Sequence, residues 1–342
     1  MSKTIKNILL LITIIGAVLV WSLYRTFFLP NTPAKDEGAY LQIPEGSSFE
    51  QVCDSLEAGN LVINMKSFRL ASRMRKYTDN VKAGRYIIES GISNYKLVNM
   101  LRAGLQAPVR VTFNNVRTLY ELAGKVGGQI EPDSAEIIAF LEDKSNYSGD
   151  GYTRETVMAV FLPDTYELYW NISVEGFFRR MLKEHDRFWS EERMAKAEAL
   201  NLNPVEVAII ASIVDDEVAK EDEKSRIAGV YLNRIRIGMP LQACPTIKFA
   251  LNDFTISRVL YEHTQVDSPY NTYKHRGLPP GPVRCATISG IDAVLNAEKH
   301  DYLYFAAKAD FSGYHNFSRT LAEHNRYANE YQRELDRRKI YR

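Results

Sequence analysis

Chemistry is most readily placed at the triplet Asp215-Asp216-Glu217, which closes the run Val207–Val214, where Ser212 is the one polar side chain. Asn203-Pro204-Val205-Glu206 before the run is a helix start: Asn as N-cap, Pro at the first helical position, Glu three residues after the cap. A helix apolar almost all round is a buried one. On it, Glu217 prolongs the stripe of Ile210, Ile213 and Val214, while Asp215 and Asp216 point roughly 200° and 100° away. A carboxyl among aliphatic side chains loses hydration, which disfavours its charge and raises its pKa. That is what a general acid needs near neutral pH. Three charges on a solvated helix end fit the same triplet, and the residues alone leave both readings open.

Other candidates lie downstream. A second helix, Ser225–Ile237, stops at Gly238 and carries Asn233 and Arg234 among apolar residues; Arg234 also fits a cation offsetting the helix dipole. Gln242, Thr246, Asn271 and Tyr273 sit in Pro-flanked irregular segments. They offer amides and hydroxyls to sugar hydroxyls, and each is equally a turn residue. His315, Glu323, His324 and Asn325 form a late polar cluster. No HExxH occurs, and the His spacing matches no common zinc site, so neither metal nor cofactor is expected. GxSxG is absent, and Gly124, Gly127 and Gly128 make no phosphate loop.

These residues belong to a chain of 342, 45% apolar and 25% charged, proportions that exclude a disordered or collagen-like protein. A net charge of +1 gives no support to nucleic-acid binding. The cysteines, Cys53, Cys244 and Cys285, are too few and scattered for a disulfide framework. Lys3 and Lys6 precede the uncharged run Asn7–Tyr24, closed by Arg25. At about 1.5 Å per residue this run comes close to the roughly 30 Å of a bilayer core. Trp21, Tyr24, Phe27 and Phe28 cluster at its far end, as interfacial rings do. A cleaved signal peptide would show a shorter apolar core and small residues next. Bulky Trp-Ser-Leu-Tyr-Arg follows instead, so an uncleaved anchor is expected, its N-terminal lysines in the cytoplasm.

Beyond a linker at Asn31–Gly38, two segments resemble each other. Ile43–Val62 matches Phe113–Ile130 at an offset of 70, pairing Phe49 with Leu119, Val52 with Leu122 and Leu56 with Val126. Lys82–Gly104 matches Leu162–Glu184 at an offset of 80, pairing Tyr86 with Tyr166 and Leu97 with Phe177. Each reads as strand, turn and amphipathic helix, so one unit is used twice, with extra residues in the second copy around Tyr147–Tyr152. Further helical and strand patterns fall at Ser289–Glu298 and Asp301–Ala306, before a polar close.

Together these residues resemble the endolytic murein transglycosylase (YceG-like) family of bacteria. The resemblance rests on ordered blocks: FLPDTYEL (Phe161–Leu168), ASIVDDE (Ala211–Glu217), IAGVYLNRIRIGMPLQ (Ile227–Gln242), PTI (Pro245–Ile247), YNTY with GLPPGP (Tyr270–Pro282), YLYF (Tyr302–Phe305), and HNF with EHN (His315–Asn325). It implies an α+β protein with a transmembrane helix, LysM-like α/β modules and a C-terminal mixed α/β catalytic domain. The expected divisions are a cytoplasmic tail (1–6), membrane helix (7–28), linker (29–40), LysM-like module (41–108), second α/β repeat with its connection (109–200) and catalytic domain (201–342). It also implies Glu217 as the catalytic acid. The substrate would be peptidoglycan, cut between N-acetylmuramic acid and N-acetylglucosamine to leave 1,6-anhydro ends. Gln242, Thr246, Asn271 and Tyr273 would hold sugars, with Asn233, His315, His324 and Asn325 on substrate or orienting Glu217. Expected partners are glycan strands and the peptidoglycan synthases of the cytoplasmic membrane, with the C-terminal part outside the cytoplasm. A muramidase-type hydrolase and a non-catalytic wall-binding scaffold are the alternatives. The chain departs from the family pattern at Asp215 for Glu, at Cys244 for an aspartate before Pro-Thr, and at Met158-Ala159-Val160 where Glu-Gly is usual.

Overall fold

The computed structural model describes residues 2–34, 38–218, 220–338 and 340. Of the sequence expectations, the first residue of the tail, Lys35–Glu37 of the linker, Ala219 after the acidic triplet, and Lys339, Tyr341 and Arg342 lie outside the described residues. Among the described residues the architecture is mixed α and β, with three two-stranded sheets, and the chain divides into two compact units.

The first unit comprises residues 1–111 with 129–132 and 166–173. Its first helix, α1 (Lys3–Phe28), has a mean hydropathy of 2.2 over its most apolar stretch, none of it buried. Within the stretch expected as a linker, the described residues Asn31 and Thr32 are held to this unit. Asn31 and Thr32 are buried. Asn31 donates to Asn94 Oδ1 (2.7 Å), and Asn94 in turn donates to the carbonyl of Thr26 at the end of α1 (2.8 Å). Thr32 donates to the Glu89 carbonyl and accepts from the Ile92 amide, both at 2.8 Å. Short polar side chains satisfy backbone groups that would otherwise be stranded there, so the segment is pinned.

Then follow β1 (Ala39–Ile43), α2 (Phe49–Ala58), α3 (Met65–Met74), β2 (Gly84–Ile88) and α4 (Asn94–Ala103). β1 and β2 pair antiparallel, Ala39 opposite Ile88 and Ile43 opposite Gly84. Ser48 and Gln51 cap α2 reciprocally, and Gly104 ends α4 in the left-handed region (φ 73°), which costs glycine nothing. Leu41, Ile43, Val52, Leu56, Phe68, Tyr86 and Leu97 fill the core.

The next elements repeat this order: β3 (Val109–Phe113), α5 (Leu119–Gly127), α6 (Ser134–Glu142), β4 (Asp164–Leu168), paired with β3, and α7 (Val174–Phe188). β3 starts 70 residues after β1, and β4 starts 80 after β2. Leu119, Leu122 and Val126 are buried like their counterparts Phe49, Val52 and Leu56. Short 3₁₀ turns at Lys144–Asn146, Ser148–Asp150 and Val157–Val160 occupy the stretch that lengthens the second copy. Most of this copy does not form a unit of its own. It belongs to the second compact unit (112–128, 133–165 and 174–342) with the C-terminal part, joined there by the Cys285 amide donating to the Val116 carbonyl (2.8 Å).

The second unit continues with α8 (Glu191–Ala199), α9 (Pro204–Glu217), α10 (Glu221–Arg236), α11 (Cys244–Ala250), α12 (Ile288–Leu295), β5 (Tyr304–Ala307), β6 (His315–Ser318) and α13 (Leu321–Arg337). The start of α9 has both bonds of the capping box, Glu206 N–H to Asn203 Oδ1 (3.0 Å) and Asn203 N–H to Glu206 Oε2 (2.8 Å). Every residue from Val207 to Val214 is buried. Ser212 is satisfied within that core, donating to Ile209 O (2.7 Å) and accepting from Val283 N–H (3.0 Å). α10 begins four residues earlier than its apolar pattern indicates, because Glu221, Asp222 and Glu223 suit the positive end of a helix dipole. The stretch read as a polar close is the strand β6 and the seventeen-residue α13.

Candidate active site

Glu217 ends α9 and reaches a cavity of about 290 Å³ in the second unit. α10 delivers Tyr231 and Arg234 to this cavity, three residues apart and therefore on one helix face. Gln242 and Cys244 come from the turn into α11, Tyr273 from the following loop, Tyr304 and Phe305 from β5, and His324 from α13.

The hydrogen bonds on Glu217 are lopsided. The Tyr231 hydroxyl (3.2 Å) and the Cys244 amide (3.1 Å) both donate to Oε1. Oε1 is thus the acceptor oxygen, and the proton of the neutral acid sits on Oε2. Burial raises the Glu217 pKa to about 7; the Tyr231 and Cys244 donors and Lys248 oppose the rise, and Asp216 adds to it. Tyr231 is itself buried, which holds its phenol well above the ordinary value and keeps it a donor. Among the described residues lining the cavity, Glu217 is the sole carboxylate.

Asp215 and Asp216 leave the helix in other directions. Asp215 pairs with Lys224 (2.9 Å) and accepts from the Thr287 amide (2.7 Å) and hydroxyl (2.9 Å). It can approach α12 only because residue 290 is glycine, where a Cβ would lie 2.5 Å from the Asp215 carboxylate oxygens. Asp216 pairs with Arg117 (2.8 Å) and Arg284 (3.0 Å).

The other candidates divide. Gln242, Tyr273 and His324 share the cavity with Glu217. Gln242 adopts φ 48°, and its backbone N–H donates to the Thr272 carbonyl (3.1 Å). The Tyr273 hydroxyl lies 3.5 Å from Cys244 Sγ. His324 stacks on Tyr304, and burial, helped by Arg234, holds its pKa below the ordinary value, so the ring is neutral. Burial pushes the Cys244 thiol up to about 11, so it too is neutral.

Thr246 and Asn271 lie behind the wall, fully buried. Thr246 donates to Ala243 O and meets Thr272 Oγ1, each at 2.8 Å. Asn271 donates to the carbonyls of Thr264 (2.9 Å) and Val266 (2.7 Å) and accepts from the Tyr273 amide (3.0 Å). Asn233, on the other side of α10, lines a separate cavity of about 740 Å³ and donates to the carbonyls of His300 (2.7 Å) and Tyr302 (3.1 Å). His315 pairs with Glu223 (2.8 Å) outside the Glu217 cavity, and Asn325 is exposed on α13. The sequence reading did not single out Tyr231, Tyr304, Phe305 or the Cys244 amide. Arg234, for which a functional role and a helix-end cation were both open, is buried and donates to the carbonyls of Leu303 (2.7 Å) and Leu241 (2.6 Å). The Tyr231/Arg234 spacing was the available signal.

The pattern of the YceG-like family matches residues 41–330. The chain belongs to the YceG-like family. Curated relatives in this family are named endolytic murein transglycosylases. That of Bacillus subtilis (strain 168) is 27% identical over 307 residues, covering 85% of this chain and 84% of that protein. That of Streptococcus pneumoniae (strain D39) is 30% identical over 296 residues, covering 78% of this chain. The chain spans about half, 53%, of the pneumococcal protein's length. The crystal structure of a yceG-like protein from Listeria monocytogenes superposes with a TM-score of 0.56 at 28% identity, covering 85% of this chain and 99% of that one.

Proposed function

We infer that this YceG-like chain is a membrane-anchored endolytic transglycosylase that cuts peptidoglycan between N-acetylmuramic acid and N-acetylglucosamine. One observation carries the reading: a single half-buried carboxyl, with a pKa raised to about 7, faces a cavity that holds no second acid among its described lining residues. Glu217 Oε2–H protonates the glycosidic oxygen, and the bond from C1 of the muramic residue to that oxygen breaks. The charge left on the sugar has oxocarbenium character. Meanwhile the Tyr231 hydroxyl and Cys244 amide, already aimed at Oε1, stabilise the carboxylate as it forms. The carboxylate then takes the proton of the muramic 6-hydroxyl, whose oxygen bonds to C1 and closes the 1,6-anhydro ring. An intramolecular nucleophile has a very high effective concentration and needs no ordered water. A hydrolase would need a second carboxylate to activate water, and Asp215 and Asp216 are engaged elsewhere.

Gln242, Tyr273 and His324 serve the sugars from the cavity wall, and Thr246 and Asn271 act by holding that wall. The apolar, unburied α1 supports a single-pass anchor, with Lys3 and Lys6 on the cytoplasmic side and the rest of the chain facing the wall. The order β1, α2, α3, β2 supports a LysM-like module over residues 41–108, and its repetition in β3, α5, α6 and β4 a second α/β copy. An enzyme so tethered meets strands as they emerge from a synthase and ends their growth.

The test is digestion of purified peptidoglycan by the full-length protein in mild detergent, with Glu217→Gln in parallel and mass spectrometry of the products. Ends lighter than reducing ends by one water, absent from the variant's digest, are expected. Reducing ends would make it a hydrolase, and undiminished cleavage by the variant would remove Glu217 from the chemistry.

A further inference from the structure

Two sequence blocks are only partly used by the Glu217 cavity. Of the Tyr270–Tyr273 block, Tyr273 alone lines it, and Leu278–Pro282 supplies none of its lining. Both contribute to a second cavity in the same unit, of about 530 Å³, walled by Tyr120, Arg154, Phe249, Asn252, Tyr270 and Pro282. Phe249 and Tyr270 pack against each other there, their ring centroids 4.6 Å apart and their planes tilted by 44°. Tyr120 is 60% exposed, its hydroxyl donating to Glu142, and Arg154 is half-exposed in a loose 3.8 Å pair with the same carboxylate. Glu155 also lines the cavity, and its carboxylate accepts from the Thr153 hydroxyl (2.8 Å). Residue 281 must be glycine, because a Cβ there would lie 1.9 Å from the Glu155 carbonyl oxygen. That contact seats the GLPPGP loop on the wall of this cavity.

The two cavities are near neighbours by covalent geometry. α11 carries Cys244, in the first, and Phe249, in the second. Five residues of helix advance about 8 Å. Tyr273 and Tyr270 are three residues apart, and so at most about 11 Å. Five residues also turn about 140°, so the cavities open on different faces of α11, and a strand leaving Glu217 must curve around that helix to enter the second. Rings with a polar tip suit sugars, which present an apolar face and a hydroxyl edge. A half-free guanidinium suits carboxylates.

We propose that this second cavity is a distal subsite for the same peptidoglycan strand, its aromatic rings taking sugar faces and Arg154 a stem-peptide carboxylate a few units from the bond cut. The proposal rests on the substrate reading above. It explains why an endolytic enzyme would engage the interior of a long strand, because a short fragment fills only the Glu217 cavity.

The experiment compares kcat/KM of the full-length protein in detergent on long uncross-linked glycan strands and on fragments only long enough to span Glu217. Tyr120→Ala/Arg154→Ala alters two side chains at the surface. The ratio of long-strand to fragment kcat/KM is expected to fall about tenfold, with Arg154→Lys restoring part of it. Pull-down on insoluble peptidoglycan, with Glu217→Gln as a non-cleaving background, should weaken in step. An unchanged ratio with wild-type-like pull-down overturns the distal subsite and leaves the active site standing. A wild-type protein that neither binds nor cleaves the strands overturns the substrate reading itself, and the subsite with it.

Discussion

On one flank of the end of α9, Asp215 and Asp216 sit nearly buried against Lys224, Arg117 and Arg284, three cations for two carboxylates. On the other, Glu217 accepts from a phenol and an amide and has no salt-bridge partner among the described residues. Three consecutive acids thus serve as two kinds of group. Buried carboxylates matched with cations are structural anions, because attraction offsets the loss of hydration. A half-buried carboxyl with no ion-pair partner among the described residues keeps its proton to near neutrality. The helix makes the division, since each residue turns about 100° from the last, and neighbours in sequence enter different surroundings.

Glu217→Gln tests the reactive flank most severely. Losing a general acid that also acts as base should lower the cleavage rate by about 10²–10⁴ or more. Asp215→Ala tests the structural flank. It strands Lys224, 4% exposed, beside one remaining acid, Glu221. Breaking a buried pair from one side destabilises by about 3–5 kcal/mol, which denaturant unfolding reads directly. If Asp215→Ala kept wild-type stability and lost activity, the division between flanks would be mistaken. Glu217→Gln also carries a stability signature. The native pKa, about 7, exceeds the ordinary carboxyl value of 4.5, so between these pH values the folded state holds a proton that the unfolded state has lost. Wild-type stability relative to Glu217→Gln should therefore decline as pH rises from about 4.5 and level off above about 7. The gap is at most about 3 kcal/mol, and melting curves at pH 4.5 and 8 measure it.

Much of this contrast is legible in the sequence. The apolar run fixed α9 as a buried helix, and the 100° step separated Glu217 from Asp215 and Asp216. The paired offsets found β1, α2, β2 and α4 and their counterparts β3, α5, β4 and α7, because buried positions such as Leu56 and Val126 recur in phase, whereas α3 and α6 lie between the matched segments and escaped. What escaped was long-range or backbone in origin. Cys244 contributes an N–H, which no side-chain identity reports. Tyr231 lies 14 residues from Glu217 and meets it only because α10 folds back along α9. Asn271 and Thr246 have the composition of sugar ligands, yet their polar atoms satisfy a buried turn. α13 was missed because it buries no residue, although Thr320 with Glu323 spells its N-cap.

Tyr231→Phe adjusts the reactive flank without emptying it. Its hydroxyl favours the ionised form of Glu217, so removing it raises the carboxyl pKa further. A hydrogen bond to a charged group contributes about 1.5–3 kcal/mol, equivalent to roughly one to two pH units. The alkaline limb of the kcat/KM profile, where the acid loses its proton, should move upward by up to that amount. Asp216→Asn should move it slightly downward, because Asp216 adds to the rise. A limb that stays in place in Tyr231→Phe would mean that a group other than Glu217 titrates.

The smallest change lies at the far end of the same helix. Asn203→Ala removes the side-chain acceptor for the Glu206 amide, 3.0 Å away. Losing such a cap costs about 0.5–2 kcal/mol. Nothing in the substitution touches the desolvation of Glu217 or its two donors, so the pH–rate profile should keep its shape and midpoint while the melting temperature falls. Should the alkaline limb shift in Asn203→Ala as it does in Tyr231→Phe, the pKa of Glu217 would depend on the rigidity of α9 as a whole. The difference between the two flanks would then belong to the helix, and not to the few groups that meet at its end.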